Sequence, residues 1–116
     1  MSKRSARPIL EDMLAYAEEA HAILDGRDGD ALRADRIRLL ALTRAVEIVG
    51  EAATQLPKII ADMLPFDISP AVAMRHRLIH GYDSISADIV AKTVREDFPS
   101  LIASLRIVLQ NKLQDE

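Results

Sequence analysis

The chain contains no cysteine and no tryptophan, and aromatic residues make up only 3% of its 116 residues. The absence of cysteine excludes a disulfide framework, a thiolate metal site and a cysteine nucleophile. It is consistent with a reducing, cytoplasmic environment, which is the location we expect. The shortage of aromatic residues argues against a base-stacking platform of the RRM or OB-fold kind.

Long apolar runs and a strong excess of one charge are also missing. No uncharged stretch reaches the roughly 18–20 apolar residues that a membrane-spanning helix needs, and no apolar segment follows the basic start Met1–Arg4. We therefore expect neither a membrane span nor a secretory signal. The net charge of −3 argues against an extended basic groove. Local clusters of arginine still allow a small cationic site, namely Arg33, Arg36, Arg38 and Arg44 in one segment and Arg75 and Arg77 in another.

Apolar periodicity and helix-end residues predict an all-α protein, an antiparallel bundle of four to five helices. We expect one domain over residues 1–116, with residues 1–7 as a flexible tail. The second helix carries one apolar stripe formed by Ile37, Leu40, Ala41, Ile48 and Ala52. The predicted helices are Pro8–Asp25, about Ala31–Leu56, a short segment from Pro57 to Leu64, Ser69 to Gly81, and Ser86 to about Leu113 with a kink or a fresh start at Pro99.

The segment Arg75–Tyr82 holds two arginines, two histidines and a tyrosine around the apolar pair Leu78-Ile79. Arginine binds phosphate oxygens through a planar fork, and histidine can give or accept a proton near neutral pH. These residue types are sufficient to cleave a phosphodiester without a metal. We therefore regard this segment as the candidate active site.

Helix geometry places Arg75 and His80 about 140° apart around the axis, and Gly81 should end the helix just after His80. RNA transesterification suits these residues: His80 would move the proton and Arg75 would stabilise the phosphate charge. Tyr82 could hold a phosphate oxygen or the leaving group. Cleavage needs both an acid and a base, and a homodimer with two facing motifs would supply both.

The pattern Arg75-x-x-x-x-His80-x-Tyr82 resembles the signature of the HEPN superfamily, and specifically that of HepT-like toxins. The similarity extends through residues 73–83, Arg44–Ala53 and Val94–Leu101, and covers roughly residues 9–110 in the expected order. The position after the arginine is usually polar in this superfamily, often Asn or Asp. Here it is His76, which leaves open whether His76 shares the proton transfer.

The resemblance implies a HEPN-like, dimeric, metal-independent ribonuclease toxin that needs no cofactor and has its motifs at the dimer cleft. Carried over by position, Arg75 and His80 would be catalytic and His76 auxiliary. The resemblance also implies a partner, a nucleotidyltransferase antitoxin of the MNT type that silences the toxin by adding AMP to Tyr82.

Glu47 and Glu51 lie one turn apart on the second helix and allow two interpretations. Like charges at this spacing repel each other modestly. In the first interpretation the two carboxylates form a solvated face, with Arg44 as their neighbour. They could instead reach the motif helix and orient Arg75 or His80.

The two motif histidines also allow a metal site, and the chain allows functions without catalysis. His76 and His80 have the spacing of a two-histidine metal clamp, with Asp83 as a third ligand, although no HExxH pattern surrounds them.

The chain could also be a non-catalytic HEPN module that binds nucleotide or RNA, or a helical interaction dimer. Two apolar groups could be either core or partner surface, namely Met74 with Leu78 and Ile79, and Met63 with Leu64 and Phe66.

Overall fold

The computed structural model of the protein describes residues 5–81 and 86–111, and all regular secondary structure within them is helical. This confirms the predicted all-α helical bundle. Five longer helices account for most of the described chain, and two short ones lie in the connections. The helices are α1 (Ala6–Leu24), α2 (Gly29–Arg33), α3 (Arg36–Thr54), α4 (Lys58–Met63), α5 (Ser69–His80), α6 (Ala87–Glu96) and α7 (Phe98–Asn111).

The predicted second helix is in fact two helices, α2 and α3. The chain breaks between them because the carboxylate of Asp35 accepts hydrogen bonds from the backbone N–H of Arg38 at 3.1 Å and from its Nε at 3.1 Å. An aspartate in this position caps a new helix and satisfies donors that would otherwise have no partner. The prediction of one helix from Ala31 was therefore wrong.

The other predicted boundaries differ less. α1 begins at Ala6, two residues before Pro8, and residues 1–4 of the predicted tail lie outside the described residues. The last predicted helix divides at Asp97 into α6 and α7. Pro99 lies in the first turn of α7, where a missing N–H removes no helical hydrogen bond. The fresh start near Pro99 is thus confirmed.

The hydrophobic core forms mainly between α1, α3, α6 and α7. α1 packs against both α3 and α7, and α3 is also the main neighbour of α5. Leu78 is the only residue of α5 that is fully buried. The largest fully buried side chains include Ile9, Leu10, Met13, Leu42, Val49, Val90, Val94 and Leu105.

The face of α3 that packs into the core is not the predicted apolar stripe. Ile37 is 82% exposed, Leu40 is 46% exposed and Ala41 is exposed, whereas Ile48 is half-buried and only Ala52 of the stripe is buried. A second set of apolar residues on α3 fills the core instead. Both sets have helical periodicity, so spacing alone could not decide between them. The core-facing set is Leu39, Leu42, Val46, Val49 and Ala53.

The short helix α2 lies against the start of α6. A β-carbon on Gly29 would be 2.9 Å from the α-carbon of Asp88, so the two backbones approach closely there. Nη1 of Arg33 also donates a hydrogen bond to the Asp88 carboxylate at 3.2 Å. These contacts connect the chain before α3 to the first turn of α6.

Within the part of the chain that the structure describes, no helix is long and apolar enough to span a membrane.

Candidate active site

α5 carries most of the candidate motif, and both of its ends have local causes. It begins at Ser69, with Pro70 in its first turn and Ile68 rather than Ser69 at the capping position. The carboxylate of Asp67 accepts a hydrogen bond from the Ser69 N–H at 2.9 Å, and this bond lowers the pKa of Asp67. The helix ends at Gly81 as predicted, where the Gly81 N–H donates to the Arg77 carbonyl at 3.0 Å.

Gly50 allows α3 and α5 to approach closely next to Arg75. A β-carbon on Gly50 would lie 2.5 Å from the carbonyl oxygen of Ala71 and 2.5 Å from the β-carbon of Arg75. Real β-carbons do not approach other atoms so closely. The base of the Arg75 side chain is therefore held in the contact between the two helices.

Arg75 is half-buried, and its guanidinium is not committed to any carboxylate among the described residues. Its Nε atom is buried and has no hydrogen-bond partner there. An unpaired buried donor costs free energy, more so on a charged group. A positively charged fork left without a carboxylate is suited to bind an external anion such as a phosphate.

His76 and His80 lie side by side on the outer face of α5. Both are exposed, and their rings are stacked with centroids 5.8 Å apart and planes 6° from parallel. Because the helix continues through His80, Arg75 and His80 keep their separation of about 140° around the axis. The structure therefore brings His80 next to His76 and turns the base of Arg75 toward α3.

Residues 13–108 of the chain match the family described as Ribonuclease HepT-like. The chain belongs to this HepT-like family. That is the family that the motif resembled, and it is a family of ribonucleases.

Several named proteins are similar to this HepT-like chain over almost their full length. One from Thermococcus cleftensis, named "Probable ribonuclease HepT", is 32% identical over 100 residues, which cover 85% of this chain and 91% of that protein. A protein named "Putative RNase" from Caldanaerobacter subterraneus is 28% identical, with 94% and 98% of the two chains covered. Another of that name from Methanocaldococcus jannaschii is 29% identical, with 93% and 100% covered. No solved structure matches the chain.

In this HepT-like chain the two predicted supporting glutamates lie beside Gly50 on α3. Glu47 accepts a hydrogen bond from Nη1 of Arg44 at 3.2 Å, and its side chain is only 18% exposed. Glu51 lines a polar groove between α1 and α3, together with Arg44 and Tyr16. Within the described chain, neither glutamate forms an ion pair with Arg75 or with a motif histidine.

Gly50 is the site residue that the sequence interpretation missed. Its signal was an isolated glycine inside a helical segment, between Glu47 and Glu51. Glycine in a helix interior costs about 0.5–1 kcal/mol relative to alanine, so its presence usually has a packing or functional reason.

Two predictions concern residues that the structure does not describe. Tyr82, the expected modification site, and Asp83, the third ligand of the possible metal site, both lie outside the described residues. Among the residues that are described, no three or more potential ligands cluster as a metal site.

The apolar residues left open as core or partner surface are now placed. Leu78 belongs to the core, and Met74 and Ile79 are half-buried. Leu64 and Phe66 are also half-buried, whereas Met63 is exposed.

Proposed function

We propose that this chain is the toxin of a toxin–antitoxin pair and that it acts as a metal-independent endoribonuclease in the cytoplasm. His80 is its general acid or base, and Arg75 stabilises the phosphate in the transition state. The observation that carries the proposal is the motif helix of a HepT-like chain, which presents a stacked histidine pair and an arginine not paired with a carboxylate among the described residues. The names of the relatives, which describe ribonucleases, agree with it.

The proposed reaction is an in-line transesterification of RNA. The imidazole of His80 takes the proton of a ribose 2′-hydroxyl, and the 2′-oxygen forms a bond to the adjacent phosphorus. The bond from phosphorus to the 5′-oxygen breaks, and that oxygen receives a proton. The products are a 2′,3′-cyclic phosphate and a 5′-hydroxyl, and Arg75 balances the negative charge that builds on the phosphate oxygens.

His76 is the proposed auxiliary group for the second proton. It lies beside His80 at 5.8 Å between ring centroids, so one chain carries two imidazoles at one site. General acid–base catalysis requires each group to come within hydrogen-bond reach of its oxygen. A parallel pair at this spacing can serve two oxygens of one phosphodiester.

We also propose a homodimer in which the motifs of two copies face each other. Val49 of α3 and Met74 of α5 line the same cavity, so the flanks of α3 and α5 that carry them face each other. At about 100° per residue, Leu40 lies about 180° from Val49, and His76 about 160° from Met74. The exposed apolar part of α3 and the histidines therefore lie on the outer flanks of neighbouring helices, where a second copy could cover Leu40 and Ile37.

The proposed partner is a nucleotidyltransferase antitoxin of the MNT type, which adds AMP to Tyr82. The support is the motif resemblance and the position of Tyr82, two residues after His80. An AMP group on Tyr82 would add a bulky anion two residues after His80 in the chain, and its phosphate would compete with the RNA phosphate for the arginines of the motif.

Incubation of the purified chain with tRNA and mRNA in EDTA, followed by mapping of the cut ends, tests the proposal. We expect cuts that end in 2′,3′-cyclic phosphate and the loss of both cutting and growth inhibition in His80→Ala. His21→Ala, an exposed histidine on α1, is the matched control and should behave like the wild type. RNA bound but never cut would favour the non-catalytic module. Growth inhibition that persists in His80→Ala would refute the catalytic role of His80.

The role of His76 has its own test, because a good leaving group needs no general acid. Replacing the 5′-oxygen at the cut by sulfur should restore cleavage in His76→Ala if His76 protonates the leaving group. The same substrate should not rescue His80→Ala if His80 is the base. Wild-type cleavage of ordinary RNA by His76→Ala would remove His76 from the mechanism.

A further inference from the structure

A cleft of about 210 Å³ opens between the end of α5 and the start of α6. Its walls are apolar and are formed by Met74 and Leu78 from α5 and by Ile89 and Val90 from α6. Arg77 and Ser86 add polar groups to the lining. None of the roles proposed above uses this cleft.

The cleft adjoins the proposed proton-transfer group. Gly81, which lines it, follows His80 directly in the chain. Arg77 precedes His80 by three residues, and residues at this spacing are neighbours on a helix surface. Arg77 therefore lies between the cleft and the face of α5 that carries the two histidines.

The size of the cleft limits its occupant to a group about as large as one nucleotide base. Its volume lies below the ~300–1,000 Å³ typical of pockets for whole drug-sized ligands. Bases of single-stranded RNA are held by apolar contact with their faces and by hydrogen bonds to their edges. Ser86 can supply such a bond, because its Oγ accepts from the Ile89 N–H at 3.2 Å and its own hydrogen is still available to donate.

Among the described residues, the lining of the cleft carries one charged group, the cation of Arg77. Arg77 is exposed and forms no ion pair within the described residues. The carboxylate of Asp88 on α6 pairs with Arg33 at 3.2 Å, which also pairs with Asp30, so this group does not compete for Arg77. The cation of Arg77 is thus available to a phosphate, and arginine planes also stack on bases.

We propose that this cleft binds the base of the nucleotide next to the scissile phosphate, and that Arg77 contacts the phosphate of that nucleotide. The inference rests on the proposed RNA cleavage and identifies where the substrate is recognised. It makes Arg77 and Ile89 determinants of cleavage preference. An apolar side chain of a partner protein is the competing occupant, and the experiments below distinguish the two.

Binding is tested without reference to cleavage. The full chain, labelled with ¹³C and ¹⁵N, is titrated with the 3′-monophosphates of uridine, cytidine, adenosine and guanosine while its NMR spectrum is followed. We expect shifts concentrated at Met74 and Ile89 for at least one nucleotide. Arg77→Ala removes a charged contact and Ile89→Trp fills the cleft, so each should weaken that binding about tenfold. Arg95→Ala on α6 and Ile107→Trp on α7 are the matched controls and should bind like the wild type.

Cleavage of a random RNA pool by the same variants provides the second measurement. The wild type should show a base preference on one side of the cut. Arg77→Ala and Ile89→Trp should reduce this preference, and the two control variants should retain it. No nucleotide binding, shifts at another surface, or a preference that both variants retain would overturn the inference and leave the proposed cleavage standing. Binding in the cleft without any RNA cleavage would support the inference and refute the proposed function.

Discussion

Gly50 lies so close to Arg75 that it has no room for a side chain: a β-carbon on Gly50 would lie 2.5 Å from the β-carbon of Arg75. It would lie equally close to the carbonyl oxygen of Ala71, a backbone atom that cannot move unless α5 moves with it. The spacing between α3 and the motif helix is therefore set at Gly50, on a helix that otherwise supplies the core.

Gly50→Ala should lower both stability and RNA cleavage. Glycine to alanine in a helix interior normally gains about 0.5–1 kcal/mol, but overpacking a close contact costs about 1–3 kcal/mol. Urea unfolding should therefore show a lower free energy of unfolding. Ala103→Ser, at an exposed position of α7, should stay close to the wild type. A more stable Gly50→Ala variant would show that the two helices can separate freely.

Arg75→Met should separate stability from activity. Methionine keeps an unbranched apolar stem and removes the buried Nε that has no partner among the described residues, so the free energy of unfolding should be unchanged or higher. RNA cleavage should fall by about 100-fold or more, because charge stabilisation in the transition state is lost. Arg106→Met, which breaks an exposed pair with Glu18, is the control and should retain cleavage. An Arg75→Met variant that is less stable but cleaves RNA as fast as the wild type per folded molecule would contradict the role of Arg75 in the transition state.

Ile37→Asp combined with Leu40→Asp should produce monomers. Ile37 is the most exposed large apolar residue in the described chain. A charge at this position would have to be buried in the interface without a partner, which costs free energy of association. Sedimentation should show a dimer for the wild type and a monomer for the double variant, with RNA cleavage reduced. Ile107→Asp changes an apolar residue that is 57% exposed on α7 and should remain dimeric. A wild type that sediments as a monomer at all concentrations would exclude the proposed dimer.

The cap at Asp35 predicts a pH dependence of stability. Hydrogen bonds from the backbone and side chain of Arg38 lower the pKa of Asp35 below its ordinary value of 3.8. A carboxylate with a lower pKa in the folded state stabilises the fold fully above the unfolded pKa, and this contribution is lost as pH falls through the folded value. The stability advantage of the wild type over Asp35→Asn should thus be larger at about pH 6 than at about pH 3. A difference that stays constant across this range would contradict the cap.

Much of the fold could be predicted because its signals are local. Helical periodicity and residues such as Pro70 and Gly81 indicate where helices lie and end. The division at Asp35 was missed because its cause is a side chain that bonds Arg38 three residues later, within an otherwise continuous helical pattern. The core face of α3 was missed because Leu39 and Leu40 belong to two apolar stripes of equal periodicity, and the neighbouring helices decide which is buried.

The candidate site was predictable as a motif but not as an arrangement. Helix geometry already indicated that Arg75 and His80 lie on different faces, and α5 is indeed continuous between them. The contact of Gly50 with Arg75 depends on how two helices pack, which one sequence does not reveal. The cleft likewise needs α6, which places Ile89 and Val90 opposite Met74 and Leu78 of α5, and the spacing of residues within each helix does not reveal how the two helices are placed.

The contact between α2 and the first turn of α6 has an evolutionary consequence. The two walls of the cleft are supported by different parts of the chain: α3 holds α5 at Gly50, and α2 holds α6 through Gly29 and Arg33. Substitutions in α2 can shift the α6 wall without touching Arg75 or His80. If the cleft selects the RNA as proposed, a HepT-like lineage can therefore change its cleavage preference by drift in the five-residue helix α2, while the motif helix α5 stays the same.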